Sequence, residues 1–353
     1  MNKPSLVIVR GLALLLGSAL LLSGCAATPI PAPGPAAELR LGYFDNVTHA
    51  PALIGVQKGF LKDALGDTTL STQVFNAGPA AIEALSAGAI DAAYIGPNPA
   101  VNTFVQSKGA SAIIVAGAAA GGAALVVRDG IDSPVDLAGT TLASPQLGNT
   151  QDVALRSWLD REGYQTSITG GGDVAVSPTD NALALTLFTS GQIDGAWLPE
   201  PWASRLVLEG GGHVLVDEAD LWANGNFPTT VLLVRKEYLR DHPETVAKLV
   251  AGHTASVAWL NDNPADAAAA INAELLADTG KTLPDAVMAR ALEHVRFTTD
   301  PFAATFPVSL AAAVAVGTGK AGDLNGLFDL SLLNAVLTGQ GGTAVSAAGL
   351  GKE

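Results

Sequence analysis

Residues 84–100 read ALSAGAIDAAYIGPNPA, and residues 187–203 read LFTSGQIDGAWLPEPWA. Gly88, Ile90, Asp91, Ala93 and Ala100 return as Gly191, Ile193, Asp194, Ala196 and Ala203, at a constant offset of 103. Each copy reads as a helix, a glycine stop, a short apolar strand and a proline-bearing loop that opens another helix. Gly-x-Ile-Asp is also ordinary turn chemistry. However, the strand and helix before it correspond in both copies as well, which favours a duplicated unit. In an open α/β sheet the loop at the carboxyl end of a strand is where ligands bind. Two copies therefore predict two similar lobes, each offering such a loop to a shared cleft.

The rest of the chain fits that plan. Strands are expected at 38–44, 68–75, 89–96, 110–117 and 123–130, with helices at 50–61, 79–88 and 99–109 between them. The alternation then repeats, with strands at 140–145, 172–178, 192–198 and 213–218 and helices at 150–164, 179–191 and 201–212. Thr179 or Asp180 is the expected cap of the second of these helices. Such βαβα order argues for mainly parallel strands with helices on both faces. A long strand at 227–239 leads out of the second half, and 242–320 is helical and Ala-rich, punctuated by Pro243, Pro264, Pro284 and Pro307.

The first residues are not part of that fold. Lys3 and Arg10 precede the apolar run GLALLLGSALLL (11–22), followed by LSGC (22–25). As a helix the twelve apolar residues reach about 18 Å, short of a hydrocarbon core of roughly 30 Å, so the segment reads as an export signal. LSGC resembles the lipobox of bacterial lipoproteins, which implies lipid on Cys25 and a chain held to a bilayer by more than one acyl chain. The Pro-, Ala- and Gly-rich stretch after Cys25 reads as a tether.

Cys25 is the only cysteine, so the remainder has no disulfide, zinc cluster or thiol nucleophile at its disposal. Losing the leader removes Lys3 and Arg10 and no acid, leaving 17 basic and 33 acidic residues, a formal −16. Nucleic acid and anionic lipid headgroups are poor partners for such a surface. GTGKAG (317–322) matches a dinucleotide-loop pattern but lacks the preceding strand, and His49, His213, His242, His253 and His294 show no metal-ligand spacing. No metal and no cofactor is expected.

Four stretches carry a family resemblance: GYFDNVTHAPALIGVQKGF, FNAGPAAIEALSAGAIDAAYIGPNPA, VVRDGIDSPVDLAGTTLASPQLGNTQDVALRSWL and SGQIDGAWLPEPWASRL. In order and spacing they resemble the substrate-binding lipoproteins of bacterial ABC importers, in the branch serving aliphatic sulfonates, taurine and nitrate. The resemblance covers roughly residues 38–335. It implies an α/β, two-lobed periplasmic-binding-protein fold of type II, each lobe a mixed, mainly parallel sheet flanked by helices, with two hinge crossovers and a helical C-terminal region. The implied organisation is signal peptide 1–25, tether 26–38, lobe one 39–126, lobe two 127–226, return to lobe one with C-terminal helices 227–335, and tail 336–353. It further implies a monomer on the extracytoplasmic face of the membrane, delivering a small oxyanion to a permease driven by a cytoplasmic ATPase.

Carried over by position, the first-lobe ligand candidates are Thr48, His49, Asn76, Gly78, Pro79, Gly96 and Asn98. The second lobe offers Gly148, Asn149, Thr150 and Gln151 from LGNTQD, then Trp197, Glu200 and Trp202 from WLPEPW. The sulfonate proteins usually have a serine-rich loop where this chain has Gly148-Asn149-Thr150, which leaves taurine and nitrate open as ligands. None of these loops contains Lys or Arg. A bound anion would therefore rely on backbone N–H groups at helix N-termini near Pro79, Pro99, Thr150 and Pro201. Asn149 and Thr150 are also ordinary helix caps, Trp197 also fits a buried strand, and Glu200 fits either a solvated first-turn acid or a contact to a ligand ammonium. Two rivals stay open: a thiamine-precursor pyrimidine-binding protein, and an enzyme on the same fold. The enzyme would need reactive His and Cys residues in the cleft, and the sole cysteine, Cys25, lies in the leader.

Overall fold

The computed structural model describes residues 34–353. The signal peptide expected over 1–25, Cys25 and most of the tether lie outside them. The tether expected up to 38 ends earlier, because Gly34 N–H donates to Asp241 O at 3.3 Å and Ala36 N–H to Thr245 Oγ1 at 2.8 Å.

The chain runs β1 (Glu38–Tyr43), α1 (Ala50–Gln57), α2 (Phe60–Leu65), β2 (Thr69–Val74), α3 (Gly78–Ser86), β3 (Ala92–Ile95), α4 (Pro97–Gln106) and β4 (Ala112–Gly121). After one residue it enters β5 (Ala123–Val127), β6 (Thr141–Ser144), α5 (Thr150–Arg161), β7 (Ala175–Pro178), α6 (Asn181–Thr189), β8 (Gly195–Pro199), α7 (Trp202–Leu208) and β9 (His213–Asp217). It returns through β10 (Pro228–Arg235), α8 (Lys236–Asp241), α9 (Pro243–Asp262), α10 (Pro264–Thr279), α11 (Asp285–His294), β11 (Val295–Phe297) and α12 (Phe306–Ala315). It ends with β12 (Phe328–Asp329), α13 (Ser331–Gly339) and β13 (Gly351–Lys352).

These strands make two mixed sheets. The first has the order β13-β12-β4-β10-β3-β1-β2, with β11 also on β4, and the second β7-β6-β8-β5-β9. The repeat is visible in the pairing. In the first sheet β2, β1 and β3 are mutually parallel and β10 runs antiparallel to β3 and β4. In the second, β7, β6 and β8 are parallel and β5 runs antiparallel to β8 and β9.

The repeated aspartate does the same work in each sheet. Asp91 N–H donates to Arg40 O at 2.8 Å, and its carboxylate accepts Arg40 N–H at 3.0 Å. Asp194 N–H donates to Thr141 O at 2.8 Å, and its carboxylate accepts Thr141 N–H at 2.8 Å. On the opposite flank an arginine of the antiparallel neighbour closes each bracket: Arg235 N–H donates to Asp91 O at 2.9 Å and Arg128 N–H to Asp194 O at 3.0 Å. Each carboxylate therefore sets the register of a parallel pair. It sits at the amino end of the strand, so the glycine and proline loops lie at the other end.

Local chemistry explains several boundaries. The helix expected over 50–61 is two helices, because Gly59 takes φ +78° between α1 and α2. The helix expected from 99 begins at Pro97, and the strand expected over 227–239 stops at Arg235 and continues as α8. Asp180 is the cap of α6, its side chain accepting from Ala182 and Leu183 N–H. The first crossover is Gly121-Gly122, both at positive φ, upstream of the 126/127 boundary expected, since β5 already pairs with β8. Gly121 N–H meets Phe227 O of the second crossover at 3.3 Å. The expected tail 336–353 is also corrected: it holds the end of α13 and an edge strand, β13, parallel to β12.

Asp91 is nearly buried (2% exposed) and faces two arginines, whereas Asp194 is 32% exposed and faces one. Asp91→Ala is therefore expected to cost about 2 kcal/mol, since it removes a buried carboxylate that accepts several charge-assisted hydrogen bonds from half-buried arginines, and Asp194→Ala about 1 kcal/mol or less. Urea unfolding of the two variants checks the order.

Candidate functional site

The duplicated order places six helix starts at the carboxyl ends of the strands: α1, α3 and α4 after β1, β2 and β3, and α5, α6 and α7 after β6, β7 and β8. Residues from all six junctions come together between the sheets, around a chamber of about 20 Å³. The first lobe supplies Thr48 and His49 before α1, Asn76 before α3 and Gly96 before α4. The second supplies Asn149 and Gln151 at the start of α5, Asn181 at the start of α6 and Pro199 before α7. That volume is about one water's worth, so the two lobes stand closed against each other here.

No lysine, arginine or carboxylate lines this chamber. The N-cap residues of α1, α3 and α4 make no side-chain cap; Pro51, Pro79, Pro97 and Pro99 bring no N–H there, and the Asn98 N–H of α4 donates to Thr150 Oγ1 of the other lobe. At α5 the Asn149 side chain accepts from Thr150 N–H at 3.0 Å, so Asn149 is a helix cap and a chamber residue at once. His49 is a neutral donor rather than a cation. Its Nδ1 accepts Phe44 N–H at 3.3 Å, its ring stacks on Phe44 at 4.3 Å, and burial pushes its pKa down to about 3. The proton therefore rests on Nε2. Asn181 Oδ1 and Thr229 Oγ1 line the same space and have no hydrogen-bond partner, although Asn181 is 7% and Thr229 5% exposed. Buried polar atoms left unpaired are costly, and a polar solute in the chamber would satisfy them.

The remaining sequence candidates lie elsewhere. Gly78 and Pro79 open α3, and a Cβ on Gly78 would stand 2.3 Å from the Pro99 ring and 3.3 Å from Asn149 Oδ1. Gly78 is thus the space through which the lobes approach. Asn98 donates from Nδ2 to Ser309 O at 3.2 Å and from its backbone to Thr150 Oγ1 at 3.4 Å. Gly148 takes φ +76° and donates to Asp152 Oδ2 at 2.9 Å. Asp152 itself is wholly buried beside Arg156, so it anchors the loop.

Trp197 belongs to the core of the second lobe. It packs on Trp158 at 6.0 Å and donates Nε1–H to Glu218 at 2.8 Å, whose pKa burial pushes up to about 7. Glu200 faces protein rather than chamber. It accepts Ser204 N–H at 3.0 Å and pairs with Arg290 of α11 at 3.2 Å, while burial pushes its pKa up. Trp202 donates Nε1–H to Asn46 Oδ1 at 2.8 Å, a direct bond from lobe two to lobe one. Both residues border a wider outer cavity of about 720 Å³.

Sequence reading missed Asn46, Asn181 and Thr229. The repeat could have found Asn181, because the offset of 103 maps Gly78 onto it and Gly96 onto Pro199. Asn46 shares the loop of Thr48 and His49. Thr229 carries no local signal; it arrives with β10 from far along the chain.

Known proteins share this architecture. An alkanesulfonate-binding protein from Xanthomonas axonopodis pv. citri, solved bound to MOPS, superposes with a TM-score of 0.68 at 23% identity, covering 82% of this chain and 96% of that one. The periplasmic nitrate-binding protein of Synechocystis superposes with a TM-score of 0.72 at 15% identity, covering 88% and 90%. These likenesses establish the fold as that of the periplasmic binding proteins. In sequence, the chain is 27% identical over 215 residues to a binding protein of Brucella abortus, covering 60% of this chain and 64% of that one. It is 28% identical over 179 residues to the taurine-binding periplasmic protein of Escherichia coli, covering 50% and 53%. The match therefore spans less than two thirds of these relatives' own length. The NMT1-like family model matches residues 32–277, most of the chain, and the protein belongs to that family.

Proposed function

We propose that this protein captures a small organic oxyanion, an aliphatic sulfonate foremost, between its two lobes and delivers it to the permease of an ABC importer. The observation that carries this reading is the convergence of helix starts from both lobes on a chamber without a charged side chain. Each helix start carries roughly half a positive charge, so the arrangement attracts an anion although the chain is strongly acidic. The names of relatives that bind taurine, alkanesulfonates and nitrate support the same ligand class.

Capture is a population shift rather than chemistry. A solute larger than water cannot fit the chamber as it stands, so the lobes must part to admit it. The linkers are short: Gly121-Gly122 on one side and the segment ending at Phe227 on the other. Closure restores Trp202–Asn46 and the contact of Gly96 with Thr150, where a Cβ on Gly96 would lie 2.4 Å from the hydroxyl. We further infer that the chain acts on the extracytoplasmic face as a monomer, held to the bilayer by acyl chains on Cys25.

Four outcomes test the reading. In a thermal-shift panel, alkanesulfonates are expected to raise the melting temperature more than taurine, nitrate or pyrimidines, and to be recovered intact after denaturation. A converted product would make the protein an enzyme, and stabilisation by nitrate alone would refute the sulfonate assignment. Gln151→Glu is expected to weaken sulfonate binding by roughly a hundredfold, about 2.7 kcal/mol, by placing a carboxylate in the chamber. Affinity is also expected to stay nearly flat from about pH 5.5 to about pH 8, because His49 with a pKa of about 3 is neutral throughout. A loss of binding through pH 6.5 would instead show that a histidine cation holds the anion. Finally, Cys25→Ser is expected to move the chain from the membrane fraction to the soluble fraction on cell fractionation.

A further inference from the structure

A second cavity adjoins the small chamber. It measures about 400 Å³ and lies between α5, α12 and the second crossover. Val153 and Ala154 form one wall, Ala311, Ala312 and Ala315 the facing wall. Trp222 and Phe227 close the crossover side, stacked at 6.0 Å and 14°. Most of its exposed lining is apolar, and Asn98 and Ser309, two of its polar members, are already bonded to protein. Arg161, exposed at the end of α5, is the one cationic side chain of the lining. Glu218 also borders the cavity, but its carboxylate already accepts Trp197 Nε1–H.

The two cavities meet at the same helix tips. Pro97, Asn98 and Thr150, the first residues of α4 and α5, line the apolar cavity, while the caps Gly96 and Asn149 line the polar chamber. The partition is thin: Gly96 against Thr150, bridged by the long 3.4 Å bond from Asn98 N–H to Thr150 Oγ1. An oxyanion oxygen placed at this point would take over the Asn98 N–H, and its organic part would have the apolar cavity directly beside it. Nitrate or a two-carbon sulfonate would leave that cavity unfilled, whereas a flat hydrocarbon body would remove apolar wall from water.

Resting on the oxyanion reading above, we propose that the site also takes aryl oxyanions, the charged head among the helix starts and the ring in the apolar cavity between α5 and α12. The apolar walls of α5 and α12 and the aromatic pair at the crossover side offer carbon surface to a ring rather than partners to a compact polar group.

Titration calorimetry on the full-length chain, with naphthalene-2-sulfonate, methanesulfonate and nitrate as probes, tests this. Naphthalene-2-sulfonate is expected to bind at least about tenfold tighter than methanesulfonate. Ala312→Trp, which fills the cavity from α12, is expected to abolish or reverse that preference. Ala315→Trp, at an exposed position of the same wall, is expected to reduce it and guards against a folding defect in the first variant. Equal or tighter binding of methanesulfonate by the unmodified protein would overturn the aryl assignment while leaving the oxyanion reading intact. An aryl preference that survives both variants would overturn the placement of the ring. Failure of all three anions to bind would overturn the oxyanion reading and this proposal with it.

Discussion

The bracket around Asp91, repeated around Asp194, is the interaction on which the rest of the structure depends. Each carboxylate ties the amino end of its strand to the parallel neighbour, and an arginine from the antiparallel neighbour seals the other flank. A register slip of one residue would turn every side chain of β3 or β8 to the wrong face. With both faces of each sheet covered by helices, the alternation cannot be relaxed. In the second lobe Ala196 and Leu198 face α6 and α7, whereas Trp197 faces α5. Fixing the amino ends of these strands also fixes where their carboxyl ends deliver the following helices.

That delivery makes the cleft. A protein with so many acids has little positive potential to offer a small anion through side chains. Backbone N–H groups at helix starts escape that limitation, because their partial charge belongs to the chain itself and needs no lysine or arginine. His49 illustrates the economy: buried and neutral, it offers a donor without an added cation. The cations nearby serve structure instead. Arg290 is spent on Glu200, and Arg156 on Asp152 beneath the loop that carries Asn149.

Closure joins the lobes through few, specific contacts. Trp202 bonds Asn46, Thr150 abuts Gly96, and α11 reaches across to Glu200 and Ser204. Each lobe keeps its own core. Two further cavities flank the chamber. One is apolar and walled by alanines and an aromatic pair; the other is wider and mixed in polarity.

The sequence by itself determined the duplicated strand–helix plan, the helix starts and the expectation of backbone rather than side-chain recognition. Those are local or periodic properties, set by glycine, proline and capping residues within a few positions of one another. It also placed Thr48, His49, Asn76, Gly96, Asn149 and Gln151 in loops that do meet at one chamber. Only the tertiary structure decided which neighbours of these residues turn inward. Trp197 lies on a strand buried on both faces, so alternation cannot say which face is core. Glu200 is claimed by Arg290, ninety positions away, and Thr229 enters the chamber because β10 returns to the first sheet. Each of those outcomes rests on a contact between distant parts of the chain, which no local pattern encodes.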